Sequence, residues 1–292
     1  MSIFVQQSGT VCDFSGSDSW VILSPIEQSI KRKIEAVGTP LKDWDIQINY
    51  GIKTGYNEAF IIGTAKREEI LSNCQTEDER KRTAELIRPI LRGRDIKRYG
   101  YEWANLWLIN THNGIKGKLE RIHIEDYPAV KAHFDLFWDK IKDRADQGDT
   151  PYNLRNCAYL EDFSKPKILW KRVGSILRFC YNDNGSLGLD STCFAIGDNI
   201  EYICCVLNSP MGHYLLKDAP KTGTGDLLIS VQAVEPLQIP CIGVGINIEF
   251  KRLLKELIIN SSSTKEKEMS RKVFALYNLS PEEQKYIEDN FT

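Results

Sequence analysis

Apolar residues recur along this chain at a spacing of three or four in several segments, which is the spacing of an amphipathic helix. The clearest case begins at a capping box, Ser24-Pro25-Ile26-Glu27, and ends at Gly38. The same pattern predicts helices over residues 76–88, 128–145, 198–210, 246–260 and 264–277, and a short last helix from residue 280. The last three follow one another directly, so the pattern predicts a helical C-terminal tail.

Shorter apolar runs rich in β-branched and aromatic residues predict strands over residues 45–52, 59–62 and 106–109. Three more runs, at 168–172, 176–181 and 192–196, are predicted to form an antiparallel set with a turn at 182–188. Residues 146–158 are predicted to be a loop. Helices and strands are mixed without a strict βαβ order, so we expect an α+β fold with a mixed or mostly antiparallel twisted sheet flanked by helices.

One predicted loop carries a concentrated set of polar groups. Two glycines bracket Lys53 and Thr54, and Tyr56 and Asn57 follow at once. Glycine allows the backbone to approach a ligand closely, and a cation, hydroxyl groups and an amide in one loop suit phosphates and base edges. The alternative is an ordinary polar turn between two strands.

Positive charge is unevenly distributed along the chain. Residues 80–98 contain eight Lys or Arg against two acidic residues, a local excess of +6. Within this segment Arg92, Arg94, Lys97 and Arg98 have the chemistry to bind phosphate or to donate two hydrogen bonds to guanine. The alternative is a surface on which these side chains form salt bridges.

A second basic segment, residues 165–178, contains five cations and no acid. Alternation along a strand places Lys167 and Lys171 on one face, and Trp170 and Arg172 on the other. We therefore expect one of these faces to be exposed and basic, with core packing as the favoured role of Trp170. A later loop with Lys221-Thr222 is flexible and cationic enough to reach a phosphate or a groove.

Several motifs accompany these charged segments. They are Tyr127-Pro128 opening a helix, Tyr152-Asn153-Leu154-Arg155, Lys165-Pro166-Lys167-Ile168, Asp190-Ser191-Thr192-Cys193-Phe194, Leu207-Asn208-Ser209, Leu237-Gln238-Ile239-Pro240 and the tail over residues 273–283. In this order they resemble the TaqI-like C-terminal specificity domain, the target recognition domain of type IIG restriction enzymes and related adenine-specific DNA methyltransferases. The similarity covers nearly the whole chain.

The resemblance implies a function in recognising duplex DNA of a particular sequence within a restriction–modification enzyme. It implies that residues 1–245 form the target recognition domain, and that residues 246–292 form a helical extension packed on it or on the parent enzyme. The parent's methyltransferase domain, and a possible nuclease domain, would hold S-adenosylmethionine and Mg²⁺, so this chain is expected to hold neither. The residues expected to contact DNA are Lys53, Thr54, Tyr56, Asn57, Arg92, Arg94, Lys97, Arg98, Tyr152, Arg155, Lys167, Lys171, Arg172, Lys221 and Thr222.

The composition adds limits to this picture. The formal charge of −2 disfavours tight duplex binding, which depends largely on phosphate neutralisation, so we expect the isolated chain to bind weakly. No apolar run approaches the roughly 18 residues of a membrane span, and the first residues lack the pattern of a signal peptide. Eight scattered cysteines are expected to be reduced, as in a cytoplasmic protein without a membrane partner.

The sequence contains no pattern typical of a catalytic site. None of the eleven prolines is adjacent to another, so the Pro-Pro-aromatic loop that holds a flipped adenine in amino-methyltransferases is absent. Cysteines and histidines lack the spacing of a zinc site. We therefore expect no catalytic or metal-binding residue in this chain. The alternative function is a protein-interaction scaffold that docks a partner on its tail helices, and an enzyme ranks last.

Overall fold

The computed structural model describes residues 23–291. Its helices are α1 (Pro25–Val37), α2 (Asn57–Phe60), α3 (Thr64–Ser72), α4 (Glu77–Leu86), α5 (Pro128–Asp135), α6 (Trp138–Ile141), α7 (Ile200–Asn208), α8 (Pro210–Leu215), α9 (Val231–Val234), α10 (Val244–Ile259), α11 (Ser263–Leu276) and α12 (Pro281–Asn290). Its strands are β1 (Gly38–Pro40), β2 (Ile46–Tyr50), β3 (Ile61–Gly63), β4 (Ile87–Leu91), β5 (Leu106–Ile109), β6 (Lys167–Lys171), β7 (Val173–Gly174), β8 (Phe179–Asn182), β9 (Leu187–Gly188), β10 (Thr192–Gly197), β11 (Leu227–Leu228) and β12 (Gln238–Pro240). The expectations about a signal peptide and about Cys12 concern residues outside this range.

A four-stranded antiparallel sheet with the order β2-β10-β6-β8 lies at the centre of the molecule. Its register pairs Phe194 with Asn49 on one side and with Leu169 on the other. Because side chains alternate across a strand, Ile168 and Trp170 enter one hydrophobic core, while Leu169 and Phe194 enter a second. The predicted antiparallel set is therefore confirmed, and both of its faces are covered.

The first core lies between this sheet and the helices α1, α7, α8 and α10 to α12. The rings of Tyr202 in α7 and Phe250 in α10 pack edge to face with centroids 4.9 Å apart. At the far end of the tail, Glu283 accepts a charged hydrogen bond of 2.6 Å from Lys33 in α1. The helical C-terminal tail is confirmed, and it shares its core with the central sheet.

The second core lies on the opposite face of the central sheet, against a smaller sheet with the order β3-β5-β4-β9. Three of its strands are antiparallel, whereas β4 and β9 are parallel, with Ile90 opposite Leu187. Helix α5 closes this core, where the Phe134 ring lies 4.7 Å from that of Phe60. Helices thus flank a mostly antiparallel set of sheets, and the expected α+β class is confirmed.

Several predicted elements differ from the structure, and residues 87–88 of the helix predicted over 76–88 belong to β4. The helix expected over 128–145 is divided into α5 and α6 at Leu136, which is 76% exposed. The apolar positions keep one periodic pattern through both helices because α5 and α6 both pack on the second core, where Phe134 and Ile141 are buried. Residues 59 and 60 lie in α2, so the strand starts only at Ile61, and residues 187–188 of the expected turn form β9.

Candidate nucleic-acid interface

A cleft of about 630 Å³ opens where β2 and β6 end and β10 begins. Gly51 brings the loop after β2 against the turn before β10, since a Cβ there would lie 1.9 Å from the carbonyl oxygen of Leu189. Ile52 then donates to the Gly188 carbonyl at 2.7 Å, and its own carbonyl accepts from Asp190 at 2.9 Å. These backbone contacts fix one wall of the cleft, which requires glycine at position 51.

Neutral side chains form part of the cleft lining. Tyr50, Cys157 and Tyr159 all contribute to the lining. Burial raises the pKa of Tyr159 to about 12 and that of Cys157 to about 11, so both side chains are uncharged at neutral pH. The net charge of the cleft therefore depends on the few ionised groups at its walls.

Three cations from distant parts of the sequence line this cleft, namely Lys53, Arg155 and Arg172. Two of them share one counter-ion: Nη1 of Arg155 lies 2.7 Å from Oδ1 of Asp146, and Nζ of Lys53 lies 3.8 Å from Oδ2. Asp146 has a left-handed backbone with φ of 60°. The lysine and arginine remain 44% and 53% exposed, so their positive charges stay accessible to a ligand.

Arg172 differs from these two cations. Its backbone N–H donates to Ser191 at 3.0 Å, and its carbonyl accepts from Ile229 at 2.8 Å. Its guanidinium forms no ion pair within the described part of the chain, and its Nε is buried without a hydrogen-bond partner. Asp190 lines the same cleft, and its carboxylate likewise has no partner among residues 23–291.

Arg144 holds two of the cleft's loops together. Its buried guanidinium donates to the carbonyls of Thr54 and Pro151 at 2.8 Å each, and also to that of Asn153. Burial lowers its pKa from 12.5 to about 10, which leaves it protonated at neutral pH. The carbonyls belong to the segments that present Lys53 and Arg155. This role was not predicted from the sequence, in which Arg144 is only an arginine about one turn after the last apolar residue of a predicted helix.

The predicted basic turn at residues 92–95 lies beside the cleft. The N–H of Gly93 donates to the Ser191 hydroxyl at 3.1 Å, next to the cleft-lining Asp190. Arg92 is held by Asp95 at 2.7 Å, and this hydrogen bond raises the pKa of the guanidinium. Arg94 is exposed.

The side chain of Lys171 runs along the same turn and is exposed. A Cβ added to Gly93 would lie 2.7 Å from its Cγ, and a Cβ added to Gly174 would lie 3.4 Å from its Nζ. Arg94 and Lys171 thus add positive charge beside the cleft.

The strand that follows the loop with Lys221 forms another side of the cleft. Strand β11 pairs with β7, and Leu228 of β11 lines the cleft directly. In the loop before β11 the N–H of Thr222 donates to the Asp226 carbonyl at 2.8 Å, while the Thr222 hydroxyl lies 2.8 Å from that of Thr224. Lys221 is exposed and has no ion pair in the described structure.

Two expected DNA contacts are wrong because the side chains are buried. Lys167 is fully buried between the central sheet and the second core, where its ammonium donates to the Phe163 carbonyl at 2.7 Å and to Asn182 at 2.8 Å. Both faces of β6 are covered from Lys167 to Trp170, so only Lys171 at the end of the strand is exposed, and the expected exposed basic face does not exist. Thr54 is only 2% exposed and donates to Asn57 at 2.6 Å.

Arg98 is also corrected, since it holds the tail helices rather than facing the cleft. Its guanidinium lies 3.1 Å from Glu266 in α11 and donates to the Asn208 carbonyl at 2.8 Å. Lys97 pairs with Glu102 at 3.0 Å. Neither Lys97 nor Arg98 lines the cleft.

Two tyrosines on the expected list are engaged by carboxylates. The Tyr152 hydroxyl donates to Asp135 at 2.7 Å, and that of Tyr56 donates to Glu58. Both tyrosines lie outside the cleft lining, as does Asn57. The candidate cationic surface in and around the cleft therefore consists of Lys53, Arg94, Arg155, Lys171, Arg172 and Lys221.

Among residues 23–291, no group of three or more His, Cys, Asp or Glu side chains is arranged to hold a metal ion. None of the helices in this range has the length and apolar character of a membrane span.

Residues 88–227 match the family model of the TaqI-like C-terminal specificity domain. This segment, just under half of the chain, is therefore similar to the TaqI-like C-terminal specificity domain, and the resemblance that the motifs indicated is confirmed. The matched segment includes Arg94, Arg155, Lys171, Arg172 and Lys221. No curated protein matches the chain.

Solved structures with a similar fold include the type IIL restriction–modification enzyme MmeI in complex with DNA. The TM-score is 0.59 with 12% sequence identity, over 87% of this chain and 36% of that one. The type IIG restriction endonuclease BpuSI also matches, with a TM-score of 0.45 and 13% identity, over 89% of this chain and 34% of that one. The chain thus spans about a third of the length of either enzyme, and the likeness to MmeI shows a shared fold.

Proposed function

We propose that this chain recognises a particular sequence of duplex DNA on behalf of a restriction–modification enzyme. The observation that carries the proposal is that Lys53, Arg155 and Arg172, which are far apart in sequence, line one cleft of a specificity-domain fold. Exposed Arg94, Lys171 and Lys221 extend the positive surface around it. Widely spaced cations gathered at one site are typical of a surface that follows a phosphate backbone.

The cations have different roles in this proposal. The side chains of Lys53 and Arg155 are about half exposed and exchange Asp146 for DNA phosphates, which fixes the register of the protein on the duplex. Lys171, Arg94 and Lys221 neutralise further phosphates along the rim. The cleft itself admits base edges. Affinity then comes from the rim and sequence selection from the interior.

The parent enzyme is proposed to be an adenine-specific methyltransferase, combined with a nuclease in many relatives. Its methyltransferase domain would bind S-adenosylmethionine, and its nuclease domain would bind Mg²⁺. This chain would present the target site to those domains and perform no chemistry itself. All seven cysteines among residues 23–291 are free thiols, which fits a reducing compartment such as the cytoplasm.

The scaffold alternative requires a continuous apolar patch on the tail helices. Helix α10 does expose apolar residues, Val244 and Ile248 near its start and Ile259 at its end. Exposed Arg252 and Lys255 lie between these two groups along the helix. The apolar surface is thus interrupted by charge, and the DNA-binding function is the better supported of the two.

The test is fluorescence anisotropy with random duplex DNA, from about 50 to 200 mM salt, where counterion release makes phosphate binding visible. We expect weak binding at low salt, and a salt slope that falls by about 1 for each of Lys53→Gln and Arg155→Gln. Lys31→Gln, which removes an exposed lysine on α1, is the matched control and should leave the slope unchanged. Absence of duplex binding even at about 50 mM salt would reject the proposal.

A further inference from the structure

Arg172 and Asp190 are the two charged groups of the cleft that remain without a partner in the described structure. Lys53 and Arg155 are both held by Asp146. Arg172 and Asp190 face one cleft, yet they form no ion pair with each other within 4.0 Å. We propose that these two side chains together read a single G·C base pair through the major groove, an inference that rests on the proposed function.

The chemistry of the two groups selects this base pair. Along the major-groove edge, G·C presents the guanine N7 and O6 acceptors and then the cytosine N4 donor. A guanidinium donates to N7 and O6, and a neighbouring carboxylate accepts from N4. A·T presents a donor, the adenine N6 amino group, where the second guanidinium N–H needs an acceptor, and it places the thymine O4 acceptor against the carboxylate. Neither side chain therefore finds its full hydrogen-bonding partners on an A·T pair.

The presence of Asp190 also decides against a phosphate as the ligand of Arg172. A phosphate bound between these side chains would satisfy the guanidinium but would be repelled by the carboxylate. A G·C edge offers partners to both charged groups at once. The lining thus favours a ligand that offers acceptors and a donor side by side.

The backbones of both residues are fixed well enough for base reading. Arg172 follows β6 directly, with hydrogen bonds to Ser191 and Ile229 of 3.0 and 2.8 Å. Asp190 precedes β10, and its N–H donates to the Ile52 carbonyl at 2.9 Å. Reading side chains carried on sheet ends have a defined starting position, which specificity requires.

The experiment is selection of bound duplexes from a randomised pool by the wild-type chain, Arg172→Met and Asp190→Asn. We expect wild type to select G·C at one position, and both variants to lose discrimination at that same position by about 5- to 150-fold, the loss typical of one base contact. Preferences at other positions should remain. Lys53→Gln serves as the phosphate control and should weaken all duplexes equally.

Atom-level confirmation comes from replacing the selected guanine by 7-deazaguanine, which lacks the N7 acceptor. Wild type should bind this duplex more weakly, whereas Arg172→Met should not distinguish it from the guanine duplex. If Arg172→Met does not fold, two measurements still test the inference. Asp190→Asn is nearly isosteric with wild type, and the 7-deazaguanine duplex can be measured with wild type alone.

The outcomes separate the two proposals. If wild type selects no sequence at all, the proposed function fails. If wild type selects a sequence but Arg172→Met weakens every duplex to the same extent, Arg172 contacts a phosphate and the inference alone is overturned. The inference is also overturned if Arg172→Met and Asp190→Asn relax different positions.

Discussion

Asp146 restrains two of the cations that the proposed interface needs, so its neutralisation should strengthen DNA binding. In Asp146→Asn the carboxylate that holds Arg155 at 2.7 Å and Lys53 at 3.8 Å is replaced by an uncharged amide. The backbone at this position is left-handed, with φ of 60°, and asparagine is one of the few residues that adopts this conformation readily. The substitution therefore changes the charge of the site while the loop keeps its shape.

The size of the effect follows from the exposure of the two pairs. The side chains of Lys53 and Arg155 are about half exposed, and Asp146 is 27% exposed. Such surface pairs are worth about 0.2–1 kcal/mol each. Releasing both makes about 0.4–2 kcal/mol available to DNA phosphates, which corresponds to about 2- to 30-fold tighter binding.

The assay is anisotropy with a fixed duplex over a series of salt concentrations, comparing wild type with Asp146→Asn. Glu35→Gln is the control, because it removes one negative charge from an exposed ion pair on α1 and leaves the cleft intact. We expect the affinity gain only for Asp146→Asn. An unchanged or weaker affinity, or an equal gain in the control, would show that Lys53 and Arg155 do not contact phosphates.

Three further predictions concern stability, each measured by urea unfolding. Arg144→Met leaves three backbone carbonyls without their donor and should lower the free energy of unfolding by about 3 kcal/mol or more. The control is Arg32→Met on an exposed residue, which should lower it by at most about 0.5 kcal/mol. Equal losses in the two variants would contradict the role assigned to Arg144. Gly51→Ala should lower the free energy of unfolding by about 1–3 kcal/mol, since the new Cβ would collide with the backbone of Leu189. The control is Gly63→Ala, where no atom lies within 4 Å of the new Cβ. If Gly51→Ala leaves stability unchanged, the close approach of the two loops is refuted. Burial is the main cause that lowers the pKa of Lys167 from 10.5 to about 8, so the unfolded state binds more protons between these values. The stability of wild type relative to Lys167→Met should therefore rise by about 3 kcal/mol from pH 8 to pH 10.5, and parallel pH profiles would refute this assignment.

Elements defined by local chemistry were predictable from the sequence. The capping box at Ser24 and the strand over residues 106–109 occur where the pattern placed them. The elements that differ depend on distant partners. Leu187 and Gly188 form a strand only because β4, almost a hundred residues earlier, lies parallel to them. No local pattern signals that pairing.

The same distinction applies to the candidate site. The basic segments were visible in the sequence, and all six cations of the candidate surface were among the residues expected to contact DNA. Lys167 was misassigned because alternation along a strand identifies two faces but not which of them is covered, and here both are. The roles of Arg144 and Asp146 could not be predicted, because each depends on loops that only the fold brings together.

The overall charge of −2 and a DNA-binding surface are compatible, because salt limits the distance over which charges act. At about 0.1 M salt the Debye length is about 10 Å, so DNA in the cleft responds mainly to nearby groups. Those groups are the cations Lys53, Arg155 and Arg172 against Asp190 and Asp146, a small local excess of positive charge. Because that excess is small, the proposed function requires contacts from the rest of a longer enzyme for tight binding. In that proposal this chain contributes the selection of the DNA sequence. Sequence selection requires the few unpaired groups of the cleft rather than a high net charge.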